Sequence, residues 1–171
     1  MAKIDWTQID HFHPDDFPEN PDRYANCNLI YNVDQWRKLY GSPISPSPVE
    51  GSVARFGDAD KNSRHYAVER KSDALDCFPH GDPVQAFMAA LCNQLFGAVG
   101  LYLDTTFRGH PWPMLHVDLR PFGEGHSKEM ALIWVRDEGE YVYPQYEANS
   151  TGLISDLDEA RVLYKRVSSN V

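Results

Sequence analysis

Apolar positions recur along the chain with two periods. Over residues 32–40, Val33, Trp36, Leu39 and Tyr40 fall at helical spacing, and Gly41 follows where a helix would stop. A second helix is predicted over residues 83–96. Asp82 stands there as N-cap, Pro83 takes the first helical position, and Val84, Phe87, Met88, Leu91 and Leu95 form one face, with Gly97 as the stop. A last helix is expected from Ser155, where Ser155 and Asp158 have capping-box spacing ahead of Leu157, Ala160, Val162 and Leu163. Segments of strand character lie between: 74–78, 99–103, 114–119, and 132–135 turning through Asp-Glu-Gly-Glu into 141–143. Helices and strands mix without a regular βαβ rhythm, which predicts an α+β domain with a mostly antiparallel central sheet flanked by helices.

Two stretches resist both periods. Residues 1–24 carry Pro14, Pro18 and Pro21 among acids and aromatics and read as an arm over the domain, pinned by Trp6, Phe12 and Phe17. The proline- and serine-rich segment 42–63 reads as an edge strand and a long loop, a length usually associated with function or mobility. The remaining 25–171 form one domain, and no internal repeat is present.

Composition narrows the function classes. The 171 residues are 42% apolar and 12% aromatic, enough for one core of ordinary size. Acids outnumber Lys and Arg by 25 to 16, and a net charge of −9 leaves no basic stripe for a phosphate backbone, so nucleic acid is not an expected partner. No apolar run is long enough for a membrane span, and the start has no secretion-signal core, so a cytoplasmic origin is expected. Cys27, Cys77 and Cys92 show no CxxC pairing and are expected to be small buried apolar residues.

Candidate chemistry rests on His65, at the end of a loop, and His116, on a predicted strand where alternation puts His116 and Asp118 on one face. The other histidines, among them His11, His13, His80 and His126, read as solvated or capping. Two imidazoles and a carboxylate from neighbouring strands are the ligand set of a catalytic zinc site. A structural His–Asp hydrogen-bonded pair fits the same spacing.

The strings Ser63-Arg64-His65, Ser72-Asp73-Ala74-Leu75-Asp76 and Leu115-His116-Val117-Asp118 together resemble the zinc D-Ala-D-Ala carboxypeptidase family, whose relatives include the Hedgehog signalling domain. The similarity extends upstream through RKLYGSPISPSPVEGSVARF and downstream through FGAVGLYLDTTFRGHPWPMLHVDLR, the latter like phage-encoded members, and covers roughly residues 30–120. The resemblance implies a Hedgehog/DD-peptidase-like fold and hydrolysis of an amide in a peptidoglycan peptide, by a phage or prophage product acting at the cell wall or from a particle. It implies that His65, Asp76 and His116 bind Zn²⁺, that Arg55 orients the substrate, and that Ser63 supports the site. Asp118 and Asp73 are candidates for fixing the histidine tautomers.

The sequence departs from the family pattern in three places. Ten residues separate His65 from Asp76, more than is usual, so part of HYAVERK must bulge out. Asp73 stands nearer the usual distance and is the rival ligand, and Ser72 replaces a glycine. The family's usual general-base position is Pro113, which takes no proton. His110, Asp104 and Asp118 are the alternative bases. A metal-binding virion or structural protein of the same fold, with little or no turnover, is the competing expectation. Trp112 reads as a rim of the cleft, Tyr141, Tyr143 and Tyr146 as half-buried strand residues, and Asp156, Asp158 and Glu159 as helix-dipole partners without a ligand role.

Overall fold

A computed structural model of the chain describes residues 3–123 and 131–143. The predicted last helix, His126, Tyr146, Asp156, Asp158 and Glu159 lie outside the described residues. The arm folds into two 3-10 turns, Trp6–Gln8 and Pro14–Asp16, and a short α1, Pro21–Tyr24. Each turn begins on a side-chain cap, from Asp5, His13 and Asn20. Phe12 and Phe17 are buried in the core with Ile4 and Ile9, while Trp6 packs half-buried against it.

Helix α2 is Cys27–Tyr40. It starts earlier than the expected residue 32, because Asn26 caps Asn28 and the buried Leu29 and Ile30 extend the apolar face of Val33 and Trp36 backwards. It ends as predicted: Gly41, at φ 76°, donates its N–H to the Arg37 carbonyl. Edge strand β1, Ile44–Pro46, and the loop of residues 47–71 follow, as the proline pattern indicates.

Strand β2, Ala74–Pro79, leads to α3, Pro83–Cys92, where Asp82 Oδ1 accepts from the N–H groups of Val84 and Gln85. This helix stops short of the predicted residue 96. Asn93 folds its amide back onto the Ala89 carbonyl, Gln94 turns to φ 51°, and Phe96 enters the core from coil. Gly97 therefore does not end the helix. It lies against the chain at Arg120, whose carbonyl oxygen would stand 1.6 Å from any Cβ there.

The remaining strands are β3 (Ala98–Tyr102), the small hairpin β4 (Thr106–Phe107) and β5 (His110–Pro111), β6 (Met114–Asp118), β7 (Leu132–Asp137) and β8 (Glu140–Val142). The main sheet runs β1-β2-β6-β3-β7-β8 and is antiparallel except for the β3–β7 pair. The architecture is α+β with a mostly antiparallel six-stranded sheet.

Alternation divides the sheet. Leu75, Cys77, Val99, Leu101, Leu115, Val117, Ile133 and Val135 point into one core with α2 and α3, where Trp36 donates its indole N–H to the Ala86 carbonyl. The opposite face carries Asp76, His116, Asp118, Gly100, Tyr102, Trp134 and Arg136, the intervening residues of the same strands. Of the three cysteines, all free, Cys77 is buried as expected. Cys27 is half-buried, and Cys92 is exposed at the end of α3, contrary to expectation. Among the described residues no helix is long and apolar enough to cross a membrane.

Candidate metal centre

Register brings the candidate residues together. Asp76 on β2 pairs directly with His116 on β6, and His116 pairs on its other side with Gly100 on β3. His65 arrives from the loop. Its carbonyl accepts from the Arg55 N–H at 2.7 Å, the Arg55 carbonyl accepts from Ala67 at 2.9 Å, and Arg64 accepts from the Asp73 N–H at 3.0 Å. The segment around His65 is thus held like a short strand between Arg55 and the start of β2. Residues 68–70, within the HYAVERK insertion, are exposed and bulge outwards.

At the centre, His116 Nδ1 lies 2.9 Å from Asp76 Oδ1 and 3.2 Å from His65 Nε2, and His65 Nε2 lies 3.4 Å from Asp76 Oδ1. All three side chains are buried, with one ligand atom each within 4.8 Å of the others. Two imidazole nitrogens facing each other can share only one proton. Such a nitrogen pair beside a carboxylate suits a cation bound to all three. Asp73 is not part of this group. Its Oδ1 accepts from the Asn26 side chain at 2.9 Å, and of the two carboxylates it is Asp76 that stands with the two histidines.

Behind His116, Asp118 occupies the other ring nitrogen. Its Oδ2 lies 3.1 Å from His116 Nε2, and its two oxygens also accept from Arg120 Nε, Nη2 and backbone N–H. A proton on Nε2 leaves the Nδ1 lone pair facing the cluster, the carboxylate–histidine arrangement that orients metal-binding imidazoles. Burial alone would push the His116 ring down, but the bonds to Asp118 and Asp76 outweigh it and push its pKa up to about 9. Burial raises the Asp76 carboxyl, and the bonds from His116 and His65 more than reverse this, holding it well below the usual carboxylate range. Asp118 behaves likewise, through His116 and Arg120.

Gly100 makes room for the site's wall. A Cβ there would stand 2.2 Å from the Trp134 indole, so only glycine lets that ring lie beside His116, at 5.2 Å between centroids. The ligand atoms open onto a cavity of about 640 Å³, lined also by Arg55, Ser63, Tyr102, Met114 and Trp134. Arg55 Nη2 approaches Asp76 Oδ2 at 3.4 Å, while its Nε donates to the Gly51 carbonyl at 3.0 Å. His65, Asp76 and His116 each offer one ligand atom beside an open cavity, a donor set that could hold a metal ion.

The three candidate bases are placed apart. Asp118 is buried beneath His116 and saturated with hydrogen bonds. Asp104 binds Arg136 Nη2 and the Gly139 N–H, and His110 is exposed on the β4–β5 hairpin; neither lines the cavity. Among the described lining residues Asp76 is the only carboxylate. Trp112 packs against Phe107 and His80 and donates its indole N–H to the Pro79 carbonyl, fastening the hairpin to the sheet. His80 pairs with Ser45, His11 with Asp34, and His13 caps a turn, so none of these three belongs to the site. Arg64, Arg70, Arg120, Arg136, Tyr102 and Trp134 line the cavity without having been singled out from the sequence. The strand alternation that placed His116 also put Tyr102, Trp134 and Arg136 on its face.

Comparisons with family models, with curated proteins and with solved structures return no match. The functional reading rests on the residues themselves.

Proposed function

We propose that the protein is a zinc-dependent peptidase that hydrolyses an amide bond in a peptidoglycan peptide. The observation that carries this reading is the convergence of His65 Nε2, Asp76 Oδ1 and His116 Nδ1 on the floor of an open cavity, with Asp118 behind His116. The resemblance of the same residues to the D-Ala-D-Ala carboxypeptidase family supports the substrate class. Bound zinc would supply a Lewis acid and an activated water near neutral pH. Asp118 holds the His116 tautomer, and Arg120 keeps Asp118 ionised. Arg55, anchored at Nε by Gly51, presents its guanidinium to the cavity beside Asp76, where it can hold and polarise a substrate carbonyl. Trp134 and Tyr102 shield the ligand group from one side. Burial pushes the Tyr102 phenol up, so its hydroxyl stays protonated and able to donate.

A second reading is favoured by one observation: no carboxylate other than Asp76 lines the cavity among the described residues, and Pro113 occupies the usual base position. In that reading the protein binds metal without turnover. Metal content per chain, by mass spectrometry of wild type and His116→Ala purified without chelator, tests the shared premise. Near-stoichiometric zinc that disappears in the variant is expected. Zinc absent from the wild type, and not taken up when added, would sink both readings. Digestion of muropeptides then separates them, since only the peptidase releases a shortened peptide.

A further inference from the structure

The chain is acidic, with a net charge of −9, yet the cavity over the ligand group is walled by cations. Arg55, Lys61, Arg64, Arg70, Arg120 and Arg136 line it, against the single carboxylate of Asp76 among the described residues. Three of these cations have structural duties: Arg120 on Asp118, Arg136 on Asp104, and Arg55 on Gly51 and Asp76. Two others stand differently. Arg70 is exposed on the bulge after His65, donates Nη2 to the Ser63 carbonyl at 3.0 Å, and has no carboxylate partner among the described residues. Lys61 lies 3.1 Å from Asp58, whose side chain is 93% exposed, a solvated pair that holds the ammonium only weakly.

An adjoining cavity differs in chemistry. A second cavity of about 230 Å³ shares Arg55, Asp76 and Met114 with the first and continues along Val49, Ser52, Phe78, Thr105 and Thr106, with Glu50 as its only further charge. A ligand reaching from the first cavity into the second therefore passes from a cation-rich lining to one of small polar and apolar side chains. A concave wall of one sign focuses its field on the cavity, and a guanidinium matches a carboxylate in shape as well as charge.

We propose that Arg70 and Lys61 are specificity-determining residues that hold a carboxylate of an anionic peptide, away from the bond being cut, while small uncharged residues of that peptide run into the second, nearly uncharged cavity. This rests on the peptidase reading for the kind of ligand, but the carboxylate preference requires neither metal nor turnover. Arg70 and Lys61 bind; they take no part in proton transfer.

Calorimetric titration of the full chain with L-Ala-γ-D-Glu-L-Lys-D-Ala-D-Ala, and with the same peptide amidated at the D-Glu α-carboxyl, tests the proposal. Amidation is expected to weaken binding to the wild type about tenfold, the size of one charge-assisted hydrogen bond. Added salt should erode the preference. The double variant Arg70→Gln, Lys61→Gln should bind both peptides alike, at the wild type's affinity for the amidated one, and Arg70→Lys should keep most of the preference. Equal binding of the two peptides by the wild type, a preference that survives in the double variant, or binding of neither peptide would each overturn it. Zinc content and cleavage are read on the same samples. A carboxylate preference in protein that holds no zinc upholds this inference and ends the peptidase reading. Zinc-dependent cleavage that is indifferent to amidation does the reverse.

Discussion

His116 is the residue on which the site turns, because both of its ring nitrogens are engaged, one towards Asp76 and His65 and one towards Asp118. Asp118→Asn keeps the volume and removes the charge that fixes the Nε2 proton. Zinc affinity is expected to fall about 10–100-fold, as for other partners of metal-bound histidines, measured by competition with a chromogenic chelator. Affinity equal to the wild type's would remove Asp118 from the metal's support. The same ring sets a pH dependence. With its folded-state pKa raised from 6.5 to about 9, protonated His116 stabilises the metal-free fold below about pH 6.5, and that contribution is lost as pH rises through about 9. Zinc must displace the proton, so its binding strengthens over the same window. The difference in melting temperature between zinc-loaded and chelator-treated protein should therefore widen from pH 6.5 to pH 9. A constant difference would show that proton and metal do not compete at this ring.

Across the sheet, Asp76, His116, Gly100 and Trp134 form one continuous row over β2, β6, β3 and β7, so the site is a property of strand register. Gly100→Ala drives a methyl into the Trp134 indole. It is expected to cost about 1–3 kcal/mol in urea unfolding, as overpacking does, and to shift the tryptophan emission and weaken zinc binding together. Unchanged emission and zinc affinity would mean that the wall is not what positions His116. Of this row, alternation placed only His116 beforehand, since a slip of one residue would turn Leu115 and Val117 out of the core and His116 into it, and Asp76 came from the resemblance; Gly100 and Trp134 were not singled out. Helix ends were less legible. The apolar spacing of Leu91, Leu95 and Phe96 continues past Cys92, and nothing in it separates a helix from coil folded onto the same core; Asn93 bonding back to Ala89 makes that distinction. The start of α2 did carry its signal in Asn26 and in the spacing of Leu29, Val33 and Trp36. The cationic wall had none, since Arg70, Arg120 and Arg136 become neighbours only when the loop, β6 and β7 assemble.

At the scale of the whole molecule, the arm is a structural part of the site. Ile4, Ile9, Phe12 and Phe17 join the core, and the arm is fixed to α2 by Asp34, which accepts from the His11 N–H at 2.9 Å, and by Arg37, which donates to the His11 carbonyl at 2.8 Å. This anchoring lays the buried Glu19 across the loop, where its carboxylate accepts from the Gly51 and Val53 N–H groups. Gly51 in turn holds Arg55 Nε, and Ser52 accepts from the Asp76 N–H at 2.9 Å. A line of hydrogen bonds thus runs from the arm to Asp76, a metal-ligand candidate, and to Arg55, the arginine proposed to face the substrate. Glu19→Ala leaves those two N–H groups without their acceptor and is expected to cost about 1–3 kcal/mol, read by urea unfolding. Glu19 holds the loop at Gly51 and Val53, beside the Gly51 carbonyl that anchors Arg55 Nε, whereas Asp76 and His116 keep their strand pairing and His65 is tied also to the start of β2 through Arg64 and Asp73, so zinc should still bind and the KM for peptide should rise. Zinc loss with no change in unfolding would contradict this account, since it would put the arm's influence on the ligands and not on the loop that carries Arg55.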